Sequence, residues 1–78
     1  MAYLRYKDHT ILSAASIDLR TGMWTPVASI SWCEGDNPPS FHLLCDSVEE
    51  VLTSIAAERR GKSLAMRWVD RRIESKQD

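Results

Sequence analysis

Two segments in the first half of the chain alternate apolar and polar residues with the two-residue period of a β-strand. Residues 10–19 are rich in Ile, Ser and Ala, and residues 24–33 carry an apolar side chain at most alternate positions. Gly22 between them suits a tight turn, because glycine adopts positive φ without strain. The two apolar faces coincide only when the connecting loop has an even number of residues. The expected pairs are Leu19 with Trp24, Ile17 with Pro26 and Ala15 with Ala28.

A third strand is predicted at residues 40–45, after a wider loop. Pro38 and Pro39 forbid ladder hydrogen bonds in that loop and favour an extended connection. Three strands joined by short loops predict an antiparallel β-meander. The apolar, helix-facing set of the third strand is expected to be Phe41, Leu43 and Cys45, opposite Trp32, Ile30 and Ala28.

The second half of the chain predicts one long helix at about residues 48–75. Ser47 followed three residues later by Glu50 forms a capping-box pattern at its start. Apolar residues then follow helical spacing on both sides of Gly61. Gly61 leaves two possibilities open, a continuous helix or a break after which Ser63 begins a second piece. We favour the continuous helix, since only Gly61 interrupts the pattern.

These elements predict an α+β fold, a three-stranded antiparallel meander with one carboxy-terminal helix packed on one face. The chain has 78 residues, of which 44% are hydrophobic, so it forms a single domain over residues 1–78. Its apolar runs are far shorter than the ~18 residues that a membrane helix needs. The first ten residues contain several charges and no apolar signal core. We therefore expect a cytoplasmic protein that does not associate with a membrane.

Charge is distributed unevenly although the net charge is −1. Residues 1–57 contain three basic and seven acidic side chains, whereas residues 58–78 contain seven basic and four acidic ones. Acidic residues alternate with the basic ones at spacings that allow pairing along a helix, which favours a solvated face. A nucleic-acid-binding or regulatory role for this helix is the alternative. Its basic candidates are Arg59, Arg60, Lys62, Arg67, Arg71 and Arg72.

The segment from Ala56 to Ser63 matches a relaxed phosphate-loop pattern, because Gly61, Lys62 and Ser63 follow a small residue and four others. Such a loop binds phosphate through backbone amides between a buried strand and a helix. Here the preceding residues favour a helix, and no strand leads into the segment. We therefore expect a helical segment without nucleotide chemistry.

The two cysteines and two histidines do not form a metal-binding pattern. A structural zinc site needs four ligands at recognisable spacing, which Cys33, Cys45, His9 and His42 lack. Cys45 is expected in the core and Cys33 on the outer face, too far apart for a disulfide. A dyad of Cys33 and His42 on the outer face would lack a third orienting group and a pocket. We assign no catalytic, cofactor-binding or metal-binding residue.

The function predicted from the sequence is a small non-enzymatic interaction module that forms a homodimer, or binds another protein. A core of this size is marginal for a lone chain, and a two-fold contact would bury more apolar surface. The sequence does not indicate which biological process the module serves. The expected interaction residues are the helix-end residues Trp68, Val69 and Ile73 and the outer-face residues Leu12, Val27 and Leu44.

Overall fold

The computed structural model describes residues 2–45 and 50–76 and shows an α+β fold with a four-stranded antiparallel sheet and one helix. The predicted class is confirmed, but the prediction of three strands is wrong because it omits the first one. The strands pair in chain order. The elements are β1 (Ala2–Tyr6), β2 (His9–Ile17), β3 (Trp24–Trp32), β4 (Ser40–Cys45) and α1 (Ser54–Lys76).

β1 forms a hairpin with β2 through a two-residue turn at Lys7 and Asp8. Both turn residues have positive φ, 48° and 64°, as in the type I′ turns that match the twist of paired strands. The turn contains no Gly, so the sequence lacks the usual hairpin signal. Within β1, Leu4 and Tyr6 are half-buried on the side that faces the helix.

β2 and β3 have the predicted faces but not the predicted pairs. Ile17 lies opposite Trp24 and Ala15 opposite Pro26, two residues away from the expected register. A shift of two leaves the same residues on the helix-facing side, because side chains alternate with period two. The loop spans residues 18–23, an even number as predicted. It closes early because the Asp18 N–H donates to the Met23 carbonyl at 2.8 Å.

β4 is displaced by one residue from the predicted register, which exchanges its two faces. His42 lies opposite Ile30 and Leu44 opposite Ala28, so these two side chains face the helix. The predicted inward set of Phe41, Leu43 and Cys45 is exposed instead. The helix supplies a physical reason, since an aromatic side chain of α1 stacks on the imidazole of His42, as described below.

Pro26 explains why β4 ends where it does. The N–H and C=O of Trp24 both bond to Val51, each at 2.8 Å, so they point to the β4 side of β3. Backbone groups alternate along a strand, and the nitrogen of Pro26 therefore lies on the same side but has no proton to donate. β4 accordingly pairs only as far as Val27, opposite Cys45.

The helix begins later than predicted, at Ser54 rather than residue 48. Val51 is held in an isolated bridge with Trp24, which is incompatible with helix at that position. Thr53 is the N-cap residue, because its Oγ1 accepts the Ala56 N–H at 3.1 Å. Ser47, the first half of the predicted capping box, lies outside the described residues.

α1 is continuous through Gly61, as favoured above, and crosses β2 and β3. Small residues at the crossing allow close packing. A Cβ atom on Gly61 would lie 2.9 Å from the carbonyl oxygen of Val27, closer than a carbon atom normally approaches. The core between helix and sheet is correspondingly small. Its buried hydrophobic members are Ile11, Ala28, Ile30, Ala57, Ala65 and Val69.

Candidate interaction surfaces

The sheet face opposite α1, here named the outer face, carries a continuous set of side chains that no described element covers. Tyr3, Phe41 and Leu43 are 70%, 75% and 70% exposed, respectively. The only charged side chain in its cross-strand rows is that of Arg5, whose Nη1 donates to Thr10 Oγ1 at 2.8 Å. The three rows are Tyr3–Leu12–Ser29–Leu43, Arg5–Thr10–Ser31–Phe41 and Ala14–Val27–Cys45.

Of the predicted outer-face residues, the structure places two on this face. Leu12 and Val27 are half-buried there, each beside an exposed row member. Leu44 lies on the opposite, helix-facing side because of the register of β4. Tyr3, Phe41 and Leu43 were not among the predicted residues. The alternation of Tyr3 and Arg5 with Leu4 and Tyr6 is a signal that could have identified β1 and therefore Tyr3.

The predicted surface at the helix end is not present as expected. Val69 is fully buried, and Trp68 and Ile73 pack half-buried against the core. The β1–β2 hairpin lies beside this part of the helix. The Tyr6 hydroxyl donates to Asp70 Oδ1 at 2.9 Å, which fixes this contact.

An ion pair reinforces the same contact. Lys7 Nζ lies 2.6 Å from Asp70 Oδ1, with both side chains partly exposed. Hydrogen bonds from Lys7 and then Tyr6 lower the pKa of Asp70 below its usual value of 3.8. The same hydrogen bond to Asp70 raises the pKa of Lys7 above 10.5.

Four aromatic rings are packed between the sheet and the second half of α1. The Trp32 ring centroid lies 5.4 Å from that of Trp68 and 5.5 Å from that of His9. His42 stacks on Trp68, with centroids 4.4 Å apart and planes 12° apart. The Trp68 indole therefore contacts two rings of the sheet, and it belongs to the packing of the fold.

The basic residues of α1 do not form one uniform surface. Arg72 stacks over Trp32 at 4.3 Å and pairs with Glu34, whose Oε1 also accepts the Trp32 indole N–H at 3.3 Å. Arg59 and Lys62 lie on the β2 side of the helix, beside Glu58 and Ser13. The half-buried Arg60 has an interaction partner.

Arg67 and Arg71 are the remaining two members of the predicted basic set, and both lie on the β4 side of α1. They line a cleft of about 300 Å³ together with Leu64, Trp68 and Leu44. Both side chains are exposed. Neither forms an ion pair with another residue in the described part of the chain.

The residues considered for chemistry are dispersed. Cys33 and Cys45 are free and exposed, so the prediction that Cys45 belongs to the core is wrong. His42 faces the helix rather than the outer face, which removes the geometry considered for a dyad with Cys33. No group of three His, Cys, Asp or Glu residues in the described ranges could hold a metal ion. The segment that matches the phosphate-loop pattern is helical, as predicted.

Among residues 2–45 and 50–76, no helix combines the length and apolarity that a membrane span requires. Comparison of the chain with known proteins gives no match to a family model, a curated protein or a solved structure.

Proposed function

We propose that the protein is a small non-enzymatic interaction module that forms a homodimer through its outer face. The observation that carries the proposal is the exposure of Tyr3, Phe41 and Leu43 in adjacent rows with Leu12 and Val27. Clustered aromatic and aliphatic side chains of this kind are rarely left in water by a monomer. Sheets commonly pack face to face through such side chains.

The surface area of the chain supports the same proposal. It exposes 5463 Å², whereas a folded monomer of its mass, 8.9 kDa, typically exposes about 4,800 Å². Four strands of five to nine residues form a face of about 450 Å² in plane. Two such faces in contact would bury about 900 Å² of planar area. Protruding side chains add to this accessible area, which brings the contact near the lower range of specific interfaces.

A second copy is the preferred occupant because the face is nearly uncharged and therefore does not repel itself. In a two-fold contact each row meets rows of the same composition, so apolar residues face apolar residues. Nucleic acid, the alternative partner, would require basic residues. The outer-face rows contain only Arg5, and the basic residues of α1 lie on the opposite side of the sheet.

The test is the molar mass in solution, measured by sedimentation equilibrium over a wide range of protein concentration. We expect a mass twice 8.9 kDa for the native chain and a monomer for Leu43→Lys. Leu19→Lys is the matched control, since Leu19 is 89% exposed in the loop after β2 and lies off the outer face. Circular dichroism establishes that each variant is folded.

Two outcomes would overturn the proposal. One is a native chain that stays monomeric up to high micromolar concentration. The other is a dimer that Leu43→Lys leaves intact, since a charge introduced into an apolar interface should disrupt it.

A further inference from the structure

The outer edge of β4 is a second unpartnered feature of the sheet. β4 is the last strand, and its backbone groups alternate between β3 and the free side. Since Trp24 bonds towards this side of β3, the pairs Ala28–Leu44 and Ile30–His42 exchange backbone hydrogen bonds. The N–H and C=O groups of Phe41, Leu43 and Cys45 therefore point outwards, unpaired by any described residue.

Within the described residues, this edge lacks the usual protections against strand addition. Residues 40–45 contain no proline and no charged side chain, whereas the opposite edge strand, β1, carries Arg5. Edge strands are normally blocked by charge, by proline or by a covering element. α1 crosses β2 and β3 and reaches β4 with side chains such as Trp68, so the helix backbone does not cover the edge.

Above the helix-facing side of this edge lies the cleft that contains Arg67 and Arg71. The two arginines are four residues apart, one turn of α1, and their guanidinium groups are exposed without carboxylate partners among the described residues. Among the described residues, no acidic side chain lines the cleft. An acidic ligand would complement this charge.

The same cleft is poorly suited to nucleic acid. Single-stranded nucleic acid binds with bases stacked on exposed aromatic rings. The one aromatic side chain among the described lining residues, Trp68, already stacks on His42 and lies 5.4 Å from the Trp32 ring. A partner that supplies carboxylates and backbone hydrogen bonds fits the observations better than one that supplies phosphates and bases.

We propose that the β4 edge binds an extended acidic peptide segment of a partner protein as a fifth, antiparallel strand. Its backbone pairs with the outward groups of Phe41, Leu43 and Cys45. Its side chains alternate, so that acidic residues meet Arg67 and Arg71 while apolar residues continue the outer face. The proposal does not depend on the homodimer, because an edge remains accessible when two sheets pack face to face.

The probe is a fluorescein-labelled peptide of alternating Val and Glu with blocked ends, and the readout is fluorescence anisotropy. We expect saturable binding that Arg67→Glu with Arg71→Glu weakens by at least about tenfold. Arg59→Glu is the matched control because Arg59 is an exposed arginine of α1 outside the cleft, and it should leave affinity within about twofold. A peptide of the same sequence whose backbone amides are N-methylated along the edge that would pair with β4 should not bind.

Several results would overturn the proposal. A Val–Lys peptide that binds as well as the Val–Glu peptide would exclude the role of the arginines. An N-methylated peptide with full affinity would exclude strand pairing. In NMR spectra, amide chemical-shift changes confined to Tyr3 and Leu12, without changes in β4, would place the peptide on the outer face. Binding of a single-stranded oligonucleotide at Arg67 and Arg71, with no peptide binding, would favour the nucleic-acid alternative.

Discussion

Replacement of Gly61 by alanine tests the closest contact between helix and sheet. In an exposed helix interior this substitution stabilises a protein by about 1 kcal/mol, because glycine is a poor helix former. Here the new Cβ would lie 2.9 Å from the Val27 oxygen and 3.4 Å from the Val27 carbonyl carbon. Both atoms belong to the backbone of a central strand, which cannot rotate away.

The two effects oppose each other, and we expect the steric one to be larger. Overpacking at a tightly packed site costs roughly 1–3 kcal/mol, so Gly61→Ala should destabilise the fold by about 1 kcal/mol. Gly61→Val adds two methyl groups beyond the Cβ of alanine and gives a smaller gain in helix propensity. Its expected loss is at least about 2 kcal/mol. The order of stability is therefore glycine, alanine, valine.

The measurement is urea unfolding followed by tryptophan fluorescence, with every variant at the same protein concentration because a dimer is stabilised by mass action. A loss of 1 kcal/mol moves the midpoint by roughly 0.5–1 M urea. Ser63→Ala is the control, since Ser63 is exposed on the same helix and should gain a few tenths of a kcal/mol. A Gly61→Ala variant that is more stable than the native chain would refute the close approach of α1 to β3.

Two further predictions concern the ends of α1. Thr53→Ala removes the N-cap hydrogen bond to Ala56 and should cost about 1 kcal/mol in urea unfolding; an unchanged midpoint would place the helix start elsewhere. Asp70→Asn should lower the melting temperature at neutral pH, and this difference should vanish in acid. The pKa of Asp70 is lowered in the folded state, so its contribution is present above pH 3.8 and is lost as the pH falls through the folded pKa. Asp36→Asn, in an exposed loop, should leave the melting temperature unchanged at both pH values. If the melting temperature of Asp70→Asn stays below that of the native chain in acid, the ion pair is excluded as the cause.

The sequence predicts the faces of β2 and β3 correctly because burial on one side fixes the parity of each strand. Ile30 lies between two serines, and the helix-facing side of β2 and β3 carries more large apolar residues than the outer side. The same reasoning fails for β4, where both faces carry apolar side chains. Phe41 and Leu43 compete with Leu44 for the core, and the contact between His42 and Trp68 is invisible to the pattern.

The helix start fails for a related reason. Ser47 and Glu50 form a favourable local pattern, but local capping is worth only about 1 kcal/mol. Val51 forms hydrogen bonds with the N–H and C=O of Trp24, which lies in β3 beyond the end of β4. This tertiary pairing overrides the local capping-box pattern. The continuous course of α1 was predictable because its apolar periodicity extends on both sides of Gly61.

The candidate surfaces were likewise predictable only where strand parity alone decides which face a residue occupies. Leu12 and Val27 were predictable members of the outer face, since the parity of β2 and β3 places them there. Phe41 and Leu43 were not, because their exposure depends on the β4 register. The pairing of Arg67 and Arg71 in one cleft depends on how α1 crosses the sheet, which sequence spacing alone does not determine.

The register of β4 therefore couples the core to both proposed interfaces. A shift of one residue would turn Phe41 and Leu43 towards the helix and expose His42. The same shift would remove two of the three exposed large hydrophobic side chains from the outer face and take the stacking partner of Trp68 away. It would also change which backbone groups point to the free edge. The stacking of His42 on Trp68 thus does more than add to a small core, because it favours the register in which the outer face and the β4 edge can bind.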